Sequence, residues 1–320
     1  MCNTTNATTE PKKVYVTQAP PPLPAIATVF FFILLAAARF PSLESIDQVA
    51  TVDLFKRRLF PHLVSLEALI LIRFAFFAFI ACISIHVTVF AKGWEMRPNY
   101  LPASKLRKNI IQMRGIRTQL PYTSVTWNLL GLSFGLPSYI AYMAKNEQDV
   151  NQWILRAALL IWETAAPNTL LVSAVVRYAI WPAALKHGST ASCKSWLALV
   201  WHNANSAMTL LEAALLGGLP VQRGHESLCM LQALGYAIFS WLYMYQWTPE
   251  KGASFIYFFF DTTLSNKTTM IAVCVLLGVL LFAYLLFSGA TQLLEHSGRG
   301  LLPSVLFVVV VFRGVCRFRD

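Results

Sequence analysis

The sequence predicts an all-α protein, a polytopic transmembrane helix bundle with a six-helix core. The chain is 56% hydrophobic and only 13% charged, whereas soluble domains carry about 25% charged residues. Its apolar residues are gathered into several runs, each about as long as the ~20 residues that a helix needs to cross a bilayer. Because these runs are continuous rather than alternating, they argue against a membrane β-barrel.

Six apolar segments make up the predicted core, which occupies residues 66–291. They lie near 66–90, 122–144, 154–181, 196–217, 229–247 and 269–291. Tryptophans stand at several of their ends, as Trp153 and Trp181 do, which is typical of the aromatic belt at a membrane interface. Pro167 lies inside the third segment and should bend that helix.

The two ends of the chain extend beyond this core. Residues 1–23 are polar and then proline-rich, which predicts a disordered tail. In the 24–65 region, the apolar run 24–40 is either a retained signal anchor or a late signal peptide, and the long segment before it favours retention. The C-terminal tail, 292–320, contains a second apolar run, 301–318, which either spans the membrane or lies in its interface.

Basic residues predict the orientation. The net charge is +11, and much of the excess lies in the 92–121 loop, which has one acidic residue, Glu95. The basic residues of that loop are Lys92, Arg97, Lys105, Arg107, Lys108, Arg114 and Arg117. Cytosolic loops of membrane proteins are enriched in Lys and Arg, so we expect this loop to be cytosolic, in the endoplasmic reticulum or the plasma membrane. Sequons at Asn3, Asn6 and Asn266 lie on the same side and favour the reverse orientation.

Several function classes are disfavoured. No nucleic-acid-binding motif accompanies the positive charge, so we expect no nucleic-acid partner. The six cysteines are scattered, without a Cys-x-x-Cys pair or zinc-like spacing. We therefore expect neither a disulfide framework nor a bound metal, and the sequence indicates no cofactor.

The candidate site is a histidine in an apolar segment. His202 begins the run HNANSAMTLLE, and Thr123 opens another segment from the same side of the membrane. A hydroxyl beside an imidazole permits nucleophilic catalysis, in which histidine removes the hydroxyl proton. Candidate supporting residues are Asn203, Asn205, Ser206 and Glu212, and Thr126 is an alternative nucleophile. Two structural interpretations stay open: Thr123 as a helix N-cap and His202 as a polar contact between helices.

Two further charges lie at comparable depths from the opposite side. Arg73 and Glu163 are each several residues inside an apolar segment. An unpaired charge at membrane depth is costly, so we predict that Arg73 and Glu163 form an ion pair. Such a track of polar residues is also compatible with a transport pathway.

Three local patterns give the chain a resemblance to a known family. They are YTSVTW at 122–127, the His202–Glu212 spacing, and YAIFSWLYMY at 236–245 followed by FIYFFFD at 255–261. With the six-segment layout, they resemble the androgen-induced-gene and rolling-stone-like superfamily of multipass membrane proteins, over roughly residues 66–291.

The resemblance implies a function. Androgen-induced-gene members are intramembrane threonine hydrolases that cleave esters of fatty acids with hydroxy fatty acids, and their nucleophile and histidine match Thr123 and His202. The asparagines after His202 and the FIYFFFD segment resemble the rolling-stone branch, which is associated with membrane and cell fusion. The leading hypothesis is a lipid-ester hydrolase whose partners are membrane lipids. A non-enzymatic fusion or scaffold protein and a transporter or receptor are the alternatives, and the oligomeric state is left open.

Overall fold

The protein is largely helical. The computed structural model describes residues 14–186, 188–298 and 300–320. Helices account for 66% of the protein and strands for 2%, so the core forms between helices. The α-helices are α1 (Leu23–Ala38), α2 (Leu43–Val49), α3 (Val52–Lys56), α4 (Leu66–Ile85), α5 (Tyr122–Lys145), α6 (Gln152–Val175), α7 (Trp181–Lys186), α8 (Trp196–Leu199), α9 (Asn205–Ala214), α10 (Ser227–Tyr243), α11 (Asn266–His296) and α12 (Leu301–Val315). Three π-helical turns, His86–Phe90, Val176–Ile180 and Val200–Ala204, extend α4, join α6 to α7 and join α8 to α9; 3-10 turns lie at Gly115–Gln119 and Phe258–Phe260.

Three helices are long and apolar enough to cross a membrane. They are α4 with its π-helical turn, α6 continued through α7 to Lys186, and α11. These three confirm three of the six predicted segments as candidate spans. A fourth candidate is the pair made by Leu23–Ala38 and Leu43–Lys56, which is bent by 62°.

The other three predicted segments fall short for two reasons. Helix α10 has 17 residues, fewer than the ~20 that a span needs. Helices α5 and α9 carry many polar residues, and these are buried: α9 alone buries Asn205, Ser206, Thr209 and Glu212. Such residues lower the mean hydropathy of a helix as if they faced lipid, although in this structure they face protein.

Helix α5 occupies the centre. It packs along α4 on one side and α6 on the other, and α6 in turn contacts α10 and α11. Small residues allow the close approach of α4 and α5: a methyl group on Gly131 would lie 2.7 Å from Ile80 Cγ2. Ser138 adds a hydrogen bond between these helices, donating to the carbonyl of Ile70 at 2.9 Å.

The loop predicted to be basic and cytosolic is ordered and defines one end of the molecule. It contains the antiparallel strands β1 (Trp94–Met96) and β2 (Ile111–Met113), with Trp94 opposite Met113. Lys105 donates its backbone N–H to Thr263 at 3.0 Å, and the Trp94 and Trp201 rings are 5.8 Å apart. The loop and the ends of α8 and α11 therefore share one end of the molecule, hereafter the basic face.

The N-terminal segment corrects the prediction of a disordered tail. Residues 1–13 lie outside the described residues, but residues 14–22 pack against the basic face. Val16 donates its N–H to Lys105 at 3.0 Å, and the Thr17 carbonyl accepts from Ala253 at 2.9 Å. These backbone hydrogen bonds hold a polar, proline-rich segment in a defined conformation. The segment has no hydrophobic periodicity, so the sequence did not indicate that it would be ordered. Helix α1 then runs along α10 and α11.

The predicted ion pair between Arg73 and Glu163 is wrong. Arg73 instead binds both carboxylate oxygens of Glu212, with Nε–Oε2 at 3.0 Å and Nη2–Oε1 at 2.6 Å, and both side chains are fully buried. Its remaining nitrogen donates to the carbonyl of Phe55 at 2.6 Å. Counting depth along each helix cannot reveal which helices are neighbours, and α4 meets the end of α9 here.

The Arg73 guanidinium also explains why a glycine stands at position 217, in the segment that follows α9. A methyl group on Gly217 would overlap this guanidinium and the Glu212 carboxylate. The Gly217 carbonyl accepts from Arg57 at 3.0 Å, and the Leu216 carbonyl accepts from Leu59 at 2.8 Å. The segment after α3 is thereby joined to the α9–α10 connection.

We expect Arg73→Met to lower the free energy of unfolding by about 3–5 kcal/mol, because it leaves the Glu212 carboxylate buried without its partner. The measurement is SDS-induced unfolding in mixed micelles. The double variant Arg73→Met/Glu212→Leu is the control, and it should recover most of the loss because it removes both charges. Equal stability of Arg73→Met and the wild-type protein would contradict the importance of this pair.

Candidate functional site

His202 lies in an irregular part of its helix. Ser195 caps α8, accepting from the N–H of Ala198 at 3.3 Å, and the chain then passes through the Val200–Ala204 π-helical turn into α9. Within the described residues, the Nδ1 atom of His202 is buried and has no hydrogen-bond partner. Single π-helical turns occur frequently at functional sites, and an unpaired buried nitrogen is rare enough to require an explanation.

Thr123 occupies the first turn of α5 but does not cap it. The residue before the helix is Pro121, and no side chain caps this end, so the N-cap interpretation of Thr123 is wrong. The Thr123 side chain lies close to the phenol of Tyr257, which comes from the connection between α10 and α11. Burial raises the pKa of this phenol, and the Thr123 side chain opposes the rise.

The alternative nucleophile is less available. Thr126 is buried, and its hydroxyl donates to the carbonyl of Thr123 at 2.9 Å. A threonine hydroxyl bonded to its own helix backbone is a common structural arrangement. Of the two threonines, Thr126 is therefore the one whose hydroxyl is bonded to its own helix backbone.

The helices that carry Thr123 and His202 are neighbours. Helix α5 contacts both the π-helical turn and α9. Among the described residues, no hydrogen bond joins the Thr123 hydroxyl to the His202 ring, and His202 Nδ1 is unpaired. Their catalytic roles stay predictions.

The four predicted supporting residues have other partners. Asn203 donates to the carbonyl of Arg317 at 2.9 Å and so holds the C-terminal residues. Asn205 and Ser206 bond Ser173 on α6, with Ser206 Oγ–Ser173 Oγ at 2.7 Å. Glu212 binds Arg73, as described above. All four contacts hold separate parts of the chain together.

The carboxyl group of Glu163 belongs to a second buried pair. Its partner is His225 and not Arg73, which the sequence had suggested. One of its carboxylate oxygens lies 2.7 Å from Nδ1 of His225, and the other accepts the N–H of Gln222 at 2.9 Å. His225 lies in the connection before α10, which gives it no helical periodicity. The sequence did contain one indication of this buried pair, which is the carboxylate of Glu163 inside an apolar helix.

Pro167 explains a neighbouring contact. A proline removes the hydrogen bond to the carbonyl four residues earlier, which is the carbonyl of Glu163. The Cys229 thiol donates weakly to this carbonyl at 3.7 Å. Helix α6 continues through Pro167 to Val175, so the carbonyl that the proline frees is satisfied from α10.

A network of neutral polar groups lies next to this pair and was also missed. Asn168 donates to Gln232 Oε1 at 2.8 Å. The Tyr122 hydroxyl lies 2.7 Å from Asn168 Oδ1 and 3.0 Å from Gln232 Oε1. The network connects α5, α6 and α10. Its polar residues lie on three separate segments, so the sequence offered no local motif to recognise.

No metal site is evident in the part of the chain that the structure describes: no three His, Cys, Asp or Glu side chains there are grouped closely enough to hold an ion. The cysteines in that part, Cys82, Cys193, Cys229, Cys274 and Cys316, are free thiols.

Comparison with known proteins gives no assignment. No protein-family model, curated protein or solved structure matches this chain.

We expect Tyr122→Phe to lower the free energy of unfolding by about 1–3 kcal/mol, because it leaves the buried amide oxygen of Asn168 without a donor. Tyr139→Phe is the matched control on the same helix, since the Tyr139 side chain is exposed. SDS unfolding of both variants makes the comparison. Equal effects of the two substitutions would show that the network contributes no stability.

Proposed function

We propose that this chain is an integral membrane protein with a polytopic helix bundle, in which α5, α8–α9 and α10 cross the bilayer together with the three candidate spans. The outward surfaces of α4 and α11 support this proposal. Leu71 and Phe74 on α4 are 66% and 54% exposed, and Phe282 on α11 is 66% exposed. Exposed apolar surfaces of this kind mark contact with lipid or protein. Helix α6 occupies the interior, since 67% of the most apolar stretch of the continuous helix Gln152–Lys186 is buried.

The charges support one orientation. The 92–121 loop, Lys186 and Lys194 lie at the basic face, which would be cytosolic by the positive-inside rule. Towards the opposite end, the charges of Arg73 and Glu212 are buried as a pair. We place the protein in the endoplasmic reticulum or the plasma membrane with this orientation.

The activity we propose is hydrolysis of lipid esters at membrane depth, with Thr123 as nucleophile and His202 as general base. The observation that carries the proposal is the buried, unpartnered Nδ1 atom of His202 in a π-helical turn beside α5. A neutral imidazole nitrogen without a partner can accept a proton. The resemblance to the androgen-induced-gene branch supports the same pair of residues and an ester of a fatty acid with a hydroxy fatty acid as substrate.

The reaction takes two steps. The Thr123 oxygen attacks the ester carbonyl carbon while His202 takes the hydroxyl proton. The carbon–oxygen bond to the alcohol then breaks, and His202 returns the proton to the departing alcohol, which leaves an acyl ester on Thr123. Water, deprotonated by His202, attacks this ester; the bond between the acyl carbon and the Thr123 oxygen breaks, His202 returns the proton to that oxygen, and the fatty acid is released. The Thr123 hydroxyl must come within hydrogen-bond reach of His202 during this cycle.

A second candidate function is a non-enzymatic scaffold or fusion protein of the rolling-stone type. The contacts of Asn203, Asn205, Ser206 and Glu212 favour it, because each joins separate parts of the chain rather than addressing His202. Under this proposal, His202 contributes to packing and Thr123 to the Tyr257 contact.

Activity measurements separate the two proposals. In detergent micelles, we expect His202→Ala to reduce hydrolysis of a fatty-acid ester of a hydroxy fatty acid roughly 10²–10⁴-fold, the usual contribution of a general base. Thr123→Ala should abolish hydrolysis and remove labelling by a fluorophosphonate probe. Thr209→Val is the control, because Thr209 is a buried threonine bonded to its own helix backbone, and it should retain activity. Unchanged hydrolysis in both Thr123→Ala and His202→Ala would reject the hydrolase proposal and leave the scaffold.

A further inference from the structure

An open cavity of about 830 Å³ lies at the basic face, where the C-terminal residues fold back against α6. Its apolar wall comes from α12 and includes Val308 and Phe312. Its polar wall contains four guanidinium groups. They belong to Arg177, Arg313, Arg317 and Arg319.

The C-terminal residues that form this wall are firmly held. The Gly314 carbonyl accepts from the Tyr178 hydroxyl at 2.6 Å, and the Arg317 carbonyl accepts from Asn203 at 2.9 Å. The Arg317 guanidinium lies over the Trp181 ring, 5.2 Å from its centroid. The cavity is therefore a built feature that joins α12, the turn after α6 and the His202 turn.

The positive charge of the cavity is not neutralised within the protein. The one acidic side chain in its lining is Asp320, and this carboxylate is already paired with Lys194 and accepts the indole N–H of Trp181 at 3.0 Å. Hydrogen bonding to Lys194 lowers the pKa of Asp320 below its usual value, which keeps the carboxylate bound to Lys194. Among the described residues, neither Arg313 nor Arg319 forms an ion pair through its side chain.

The chemistry of the two walls selects the ligand. Guanidinium groups match the geometry of phosphate oxygens and bind them through paired N–H donors. An inorganic anion would use the arginines alone. The α12 wall continues into an apolar surface on which Leu306 and Val310 are 53% and 67% exposed, as suits contact with acyl chains. Basic pockets beside membrane helices on the cytosolic side bind anionic lipid headgroups.

We propose that this cavity binds the phosphate group of an anionic phospholipid, with Arg313 and Arg319 as the principal contacts and the acyl chains along α12. The site is separate from Thr123 and His202, and its occupation does not depend on hydrolase activity.

The test uses the full chain, delipidated in a mild detergent, with native mass spectrometry as the measurement. The probes are dioleoyl phosphatidic acid, dioleoyl phosphatidylcholine and inorganic phosphate. The double variant Arg313→Gln/Arg319→Gln removes the two arginines that have no ion pair. The matched control, Lys108→Gln/Arg114→Gln, removes two exposed cations from the 92–121 loop at the same face. Far-UV circular dichroism verifies that both variants keep the wild-type helix content.

We expect phosphatidic acid to bind at least about tenfold more tightly than phosphatidylcholine. Each arginine near a membrane surface contributes about fivefold, so the double variant should lose roughly 25-fold in affinity for phosphatidic acid. The control should retain wild-type affinity.

Four outcomes would overturn the proposal. They are equal binding of the two lipids, an unchanged affinity in the arginine variant, an equal loss in the control variant, and displacement of phosphatidic acid by equimolar inorganic phosphate. The last would make the cavity a site for the free ion.

Discussion

The fold depends on the buried ion pair between Arg73 and Glu212. Both side chains are fully buried, where the cost of removing a charge from water is several kcal/mol. That cost is met only because each nitrogen of the guanidinium has a nearby acceptor: two carboxylate oxygens and the Phe55 carbonyl. The pair fixes α4 against α9, brings the segment after α3 onto the same end and requires a glycine at position 217. The helix with the candidate histidine is thus positioned from its far end.

The same requirement explains the polar interior. Most polar groups that enter the apolar core find a partner on a different segment of the chain, as Glu163 does with His225 and Ser206 with Ser173. Unpaired groups in this setting would cost more than they would in water. His202 is one of the exceptions among the described residues: its Nδ1 atom is buried without a partner, as are Nε1 of Trp201 and Nε2 of Gln232. Against a background in which most polar groups are satisfied, an unsatisfied imidazole is the strongest structural argument for chemistry at this position.

The C-terminal residues connect the two regions that we consider functional. Arg317 borders the arginine-lined cavity and is bonded through its backbone to Asn203, the residue after His202. The Cys316 thiol also donates weakly to the carbonyl of His202 at 3.9 Å. A lipid held at the basic face would therefore lie beside the turn that carries the candidate base. This arrangement is compatible with an enzyme whose substrates arrive laterally from the bilayer.

The sequence by itself determined the helical class, three candidate spans and the types of residue that carry chemistry. Those features depend on local apolar content and on residue identity. It did not determine which polar side chains become partners. Arg73 was assigned to Glu163, and the buried hydrogen bonds of Tyr122, Asn168, His225 and Gln232 were not predicted. Hydropathy also undervalued α5 and α9, because it cannot distinguish a polar side chain facing lipid from one facing another helix. Only the tertiary structure decided these partners, since hydrogen bonds between distant segments depend on which helices become neighbours, and no single segment records that information.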